Sequence, residues 1–273
     1  MMTRQSVFFD AAGLLRKSRL GKRLVCLYSV TSTNDVAWGE AEAGVSEGTV
    51  VVAEEQTEGR GRLGRTWYSP PGVGVWMSVI MRPQISSEAA PGITHCASLA
   101  AARAIKVVCP VEVSLKWPND VLVEGRKVCG ILTEMKTVGK RIDFVVCGIG
   151  INVNQKPEDF APAIRAAGVS LRMATGETVE RVRLFAEVIK QLDGLYEGFC
   201  RCGFSHCAAE WKAMCGSLGK RIRIRTGRSE GDVEGVFSDV DERGALVLRM
   251  DSGLERSFLA GDVELVSQES EAP

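Results

Sequence analysis

The sequence predicts an α+β protein, with a mixed β-sheet flanked by helices and followed by a small all-β module. Three observations carry this. β-Branched and aromatic runs alternate with segments of helical period up to Gly219; two long apolar runs joined by a tight turn put antiparallel neighbours in one sheet; and beyond Gly219 short alternating strands are separated by turn residues.

Taken in order, LVCLYS (24–29), TVVVAEEQ (49–56), VGVWMSVIM (73–81) and VEVSLKW (111–117) read as strands, with helices at 34–43 and 92–108 between them. KVCGILTEMK, the turn TVGK and RIDFVVCGIGINV read as a hairpin or meander, so the sheet cannot be all parallel. The segment 177–199 predicts a core-facing helix, because Val182, Leu184, Phe185, Val188, Ile189 and Leu192 form one stripe. KRIRIRTG, DVEGVFSDVDERGALVLRM and DSGLERSFLAGDVELV then fit a small barrel. The expected boundaries are an N-terminal extension over 1–23, a main domain over 24–216, the β module over 217–268 and a tail over 269–273.

The chain has 273 residues with 34 basic and 34 acidic side chains, a balance that gives no support to a nucleic-acid or membrane-surface role. Residues 219–268 carry 8 basic and 10 acidic side chains, so the module is not expected to bind DNA. Nine scattered cysteines fit reduced thiols and a cytoplasmic location better than a disulfide framework. The start of the chain, interrupted by Asp10 and several basic residues, reads as neither a signal peptide nor a membrane span. Cys200, Cys202, His206, Cys207 and Cys215 offer zinc ligands on paper, but their spacing is poor for a zinc site.

GRGRLGR (59–65) matches the dinucleotide fingerprint letter for letter, yet two prolines and two glycines follow where a helix should start, and position 84 is Gln84 rather than an acid. The loop instead gathers Arg60, Arg62 and Arg65 with only Glu58 as a local counter-charge, which predicts an anionic ligand. Alternation in VEVSLKWPND turns Val113 and Leu115 to one face and Ser114 and Lys116 to the other. Pro118 ends that strand, and Asn119-Asp120 is expected to form the turn. TSTN (31–34) reads as a helix cap, with Ser32 or Thr33 accepting from free backbone amides.

As a set, STN, Gln56, GRGRLGR with Trp67, KWPND, GILTE (130–134) and GIGINV resemble the biotin protein ligases of bacteria, from about residue 24 to residue 267. The resemblance implies a catalytic domain like that of class II aminoacyl-tRNA synthetases, with a C-terminal Src-homology-3-like barrel. It also implies ATP-dependent formation of biotinyl-5'-AMP and transfer of biotin to a lysine of a biotin carboxyl carrier protein. Lys116 and Arg62 would be the catalytic cations. Biotin would be bound by Ser32, Thr33, Asn34, Gln56, Arg60, Gly61, Arg62, Lys116 and Gly130, and the adenylate by Arg62, Arg65, Lys116, Asn119 and Asn152. Mg2+ would enter mainly on the ATP phosphates, with Asn152 as a candidate contact, and 153–173 would cover adenine. A lipoate-protein ligase is the enzyme alternative. A biotin-responsive DNA-binding repressor is the other, disfavoured because only 31 residues precede Ser32. No DNA or membrane partner is expected, and a homodimer is an open alternative.

Overall fold

The computed structural model describes residues 6–139, 141–226 and 231–266. The tail at 269–273 and Lys140 of the predicted turn lie outside the described residues.

Seven strands form the main sheet: β1 (Arg23–Val30), β2 (Thr49–Gln56), β3 (Gly74–Met81), β4 (Val113–Lys116), β5 (Asp120–Val123), β6 (Arg126–Val138) and β7 (Arg141–Asn152). Their spatial order is β1-β2-β3-β7-β6-β5-β4. β1 and β2 are parallel, joined by the crossover helix α1 (Thr33–Glu42), and the remaining pairings are antiparallel, giving the predicted mixed sheet.

Both faces are covered, which explains why β2 is buried from Thr49 to Glu54 and β3 along its whole length, with apolar runs at 50–53 and 75–77. Val51, Ile80, Phe144 and Val146 meet α1 through Ala37 and Ala41 on one face. The other face packs on α2 (Pro91–Val108) and on the helix that follows a short α3 (Leu171–Thr175). That helix, α4 (Arg181–Cys202), starts four residues later than the stripe suggests. Asn154 holds Val179 in extended conformation through two hydrogen bonds of 2.9 Å, so 177–180 cannot wind. Gly203, at φ of 68° and ψ of −162°, a conformation that favours glycine, ends α4 before α5 (Ser205–Met214).

Residues 7–15 form a 3-10 helix that buries Phe8, Ala11 and Leu15 against α4, so this part of the extension is core. Its start is anchored by Glu54 at the end of β2. That carboxylate is 3% exposed and accepts from Arg181 Nη1 at 2.8 Å, Ser6 Oγ at 3.0 Å and Val7 N at 2.9 Å.

The C-terminal module has β8 (Arg221–Arg225), β9 (Val233–Val240), β10 (Leu246–Arg249), β11 (Glu255–Phe258) and β12 (Asp262–Leu265), antiparallel in the order β11-β10-β9-β8-β12. One of its contacts with the main domain converges on a carbonyl. Gly244 O, in the β9–β10 turn, accepts from Trp117 Nε1 at 3.0 Å and lies 2.9 Å from His95 Nε2. A Cβ at Gly244 would run into the imidazole, and the residue sits at φ of 81°.

Candidate active site

The ends of β2, β4, β6 and β7, the N-terminus of α1, the arginine loop and β12 enclose a cavity of about 460 Å³. Every predicted site residue lines it: Ser32, Thr33, Asn34, Gln56, Arg60, Gly61, Arg62, Arg65, Lys116, Asn119, Gly130 and Asn152.

One end is neutral and rich in hydrogen-bonding groups. Ser32 caps α1, its Oγ accepting from Asn34 N at 3.3 Å. Gln56 Oε1 accepts from Thr33 N at 2.8 Å and from Thr33 Oγ1 at 3.0 Å. Asn34 donates to Glu134 Oε2 at 2.6 Å and accepts from Ser78 Oγ at 2.6 Å.

The floor is backbone. Gly130 and Gly150 are register partners on β6 and β7, and Gly148 faces the cavity beside them. A Cβ on Gly148 would collide with the Asn34 amide and one on Gly150 with the Trp67 indole, so glycine is required for these side chains to lie flat on the sheet. Trp67 Nε1–H is buried with no acceptor among the described residues, leaving a donor for a ligand.

The other end is cationic, and here the expectation that the loop lacks counter-charges is overturned. Arg60 pairs with Asp35 at 2.5 Å and Glu134 at 3.3 Å, and Arg65 pairs with Asp262 of β12. Carboxylates distant in sequence supply part of the counter-charge that was expected from an anionic ligand. Arg62 differs: its guanidinium donates to Asn119 Oδ1 at 3.0 Å and Gly261 O at 3.3 Å, both neutral oxygens, among the described residues. Burial lowers its pKa, with Asp262 and Asp120 opposing and Arg65 adding to the effect. Its charge is therefore the least compensated in the loop. Leu63 (φ 56°) and Gly64 (φ 73°) are both left-handed, so the loop tip turns back on itself and no helix follows.

Sequence reasoning missed Lys127. It lines the cavity 5.2 Å from the centroid of the Trp67 ring, and its Nζ lies 2.6 Å from Asp120 Oδ1, meeting it as an ion pair rather than along a hydrogen-bond direction. The available signal was a basic pair, Arg126-Lys127, opening the strand just before the apolar run that leads into GILTE. The expected Asn119-Asp120 turn is also corrected: the turn is Trp117–Asn119, and Asp120 begins β5 opposite Lys116, which aims its carboxylate at Lys127.

Gln155, Phe160, Ile164 and Gly168 of the segment 153–173 close a further wall. Asn152 Oδ1 accepts from Gln155 Nε2 at 3.0 Å, while Gln155 Oε1 is buried without a partner. Among the described residues no group of three or more His, Cys, Asp or Glu could hold a metal ion. In the cysteine cluster, Cys207 Sγ lies 3.7 Å from Cys96 Sγ, and Cys200 and Cys202 are exposed.

Comparison with known proteins adds three kinds of likeness. Residues 26–152 match the biotin/lipoate A/B protein ligase family, and 217–266 match the biotin protein ligase C-terminal domain. The chain is 36% identical over 251 residues to the bifunctional ligase/repressor BirA of Bacillus subtilis, covering 92% of this chain and 76% of that one. It is 35% identical over 216 residues to the biotin–[acetyl-CoA-carboxylase] ligase of Paracoccus denitrificans, covering 77% and 88%. The biotin protein ligase of Aquifex aeolicus, solved with biotin and ATP, superposes with a TM-score of 0.75 at 30% identity, covering 90% of this chain and 99% of that one.

Proposed function

The chain belongs to the biotin/lipoate A/B protein ligase family, and we infer that it joins biotin to ATP as biotinyl-5'-AMP and passes the acyl group to a lysine of a biotin carboxyl carrier protein. One observation carries this reading: a single cavity has a neutral, amide-rich end at Thr33 and Gln56 and a cationic end at Arg62, Lys116 and Lys127. A ureido ring suits the first end and a carboxylate meeting a triphosphate suits the second.

In the first step a biotin carboxylate oxygen bonds to the α-phosphorus and the bond to the β-phosphate oxygen breaks, releasing pyrophosphate. Two anions must approach, so rate comes from positioning and charge neutralisation and no side-chain nucleophile is needed. Arg62 is suited to this because neutral oxygens orient it without using up its charge. Lys127, aimed by Asp120, and Lys116 would add the remaining positive charge. Arg65 would exchange Asp262 for phosphate, and Arg60, committed to Asp35 and Glu134, would act as a strut of the loop. In the second step the carrier lysine's neutral amine attacks the acyl carbon, a C–N bond forms, AMP departs with the bonding pair, and the nitrogen gives up a proton to solvent to leave the amide. Magnesium would ride on the ATP phosphates, since no carboxylate cluster is built for it among the described residues. The free thiols suit a reducing cytoplasm.

The lipoate reading is weaker. A dithiolane would leave the Gln56 carboxamide and the Ser32 hydroxyl unmatched, a loss worth a hundredfold or more in specificity by order of magnitude, roughly. The test is pyrophosphate–ATP exchange with mass-spectrometric detection of the adenylate. Biotin is expected to drive exchange and yield biotinyl-AMP, and lipoate to drive none; the reverse would overturn the assignment.

A further inference from the structure

A line of polar side chains runs from α1 to the arginine loop, and its donors and acceptors admit one polarity. Thr33 N can only donate, so the Gln56 atom 2.8 Å away must be the carboxamide oxygen. This turns Gln56 Nε2 toward Ser69 Oγ, to which it donates at 2.8 Å. Ser69 Oγ in turn donates to Trp67 O at 3.0 Å. Ser69 is 2% exposed, so water does not readily replace its hydroxyl. The chain runs antiparallel around it, with Gln56 bridged to Ser69 and Arg60 to Thr66.

Gly59 closes over the same group. It accepts from Trp67 N at 2.7 Å, and a Cβ there would collide with Trp67 O and come within 2.8 Å of Ser69 Oγ and 3.1 Å of Gln56 Nε2. The first glycine of GRGRLGR is thus needed for close approach to this network.

We propose that Ser69 is a positioning residue that sets biotin specificity. By accepting from Gln56 it locks the carboxamide with its second N–H free for the ureido oxygen. By donating to the Trp67 carbonyl it ties that lock to the seating of the arginine loop. Ser69 touches neither reacting atom and acts through Gln56. The proposal rests on the biotin-binding reading above.

The test is adenylation kinetics on Ser69→Ala in the full chain, with biotin and with 2-iminobiotin, whose C=NH replaces the ureido C=O. The biotin KM is expected to rise about three- to tenfold, with kcat and the ATP KM within about twofold, and discrimination against 2-iminobiotin is expected to shrink. Loss of packing alone would lower the melting temperature without shifting the ratio between the two ligands. Ser69→Cys, which keeps the shape with a weaker acceptor, is expected to fall between wild type and Ala, and it serves if Ala does not fold. An unchanged biotin KM and an unchanged ratio in a folded variant overturn the proposal. Wild-type protein that forms no biotinyl-AMP overturns the functional reading and the proposal together, so the two failures are told apart by the wild-type control.

Discussion

Lys127 holds its charge between the Asp120 carboxylate and the face of Trp67, whereas Lys116 makes no ion pair among the described residues. An ammonium fixed in place neutralises a developing charge at less entropic cost than a mobile one. Lys127→Ala is therefore expected to lower single-turnover adenylation by about ten- to a hundredfold while leaving the fold intact, with Lys116→Ala losing less; equal effects would mean that both lysines act as bulk charge. Single residues were the least legible scale of the sequence. Lys116 was found because its motif has a proline and an Asn-Asp pair beside it. Lys127 sits in a β-strand where the basic pair Arg126-Lys127 is the sole local mark, and it is the pairing of β5 with β6 that brings Asp120 to it. The same reason hid Ser69 and Ser78, ordinary serines in sequence that become hydrogen-bonding partners of Gln56 and Asn34 only once the loop and sheet assemble.

Elements were read more securely, because period and punctuation are local. β1, β2, β3, α1 and α2 lie within a residue or two of their predicted spans, and β7 with β6 forms the predicted hairpin. What local pattern cannot contain is a partner far along the chain. Asn154 delays α4, Asp35 and Glu134 neutralise Arg60, and Asp262 neutralises Arg65. The buried Glu54–Arg181 pair is of the same kind, tying the 3-10 helix, β2 and α4 together. Arg181→Met keeps much of the volume but leaves a buried carboxylate without its cation. Urea unfolding should show a loss of about 3–5 kcal/mol, and a change below about 1 kcal/mol would mean that the Glu54 carboxylate reaches water without cost.

Across the whole molecule, His95 binds the two domains and brings a pH dependence with it. Burial among Phe204 and Trp211 pushes its pKa down to about 4, with the Gly244 hydrogen bond opposing. In the unfolded chain the value returns to about 6.5. Above that pH both states are neutral; as pH falls below it only the unfolded chain gains the proton, so stability is lost progressively toward the folded pKa. The loss should reach about 2 kcal/mol by pH 5. Urea titrations at pH 7 and pH 5 should show it, and His95→Gln, which can still donate to Gly244 O, should flatten the difference; an equal slope in the variant would assign it to the carboxylates. The bond from Arg62 to Gly261 O spans 199 residues, and β12 is the last strand described. During synthesis the neutral end of the cavity is therefore complete long before its cationic end. A nascent chain that has emerged only through α5 holds Arg62 without Gly261 O and Arg65 without Asp262, so the wall that these pairs tie down is not yet there.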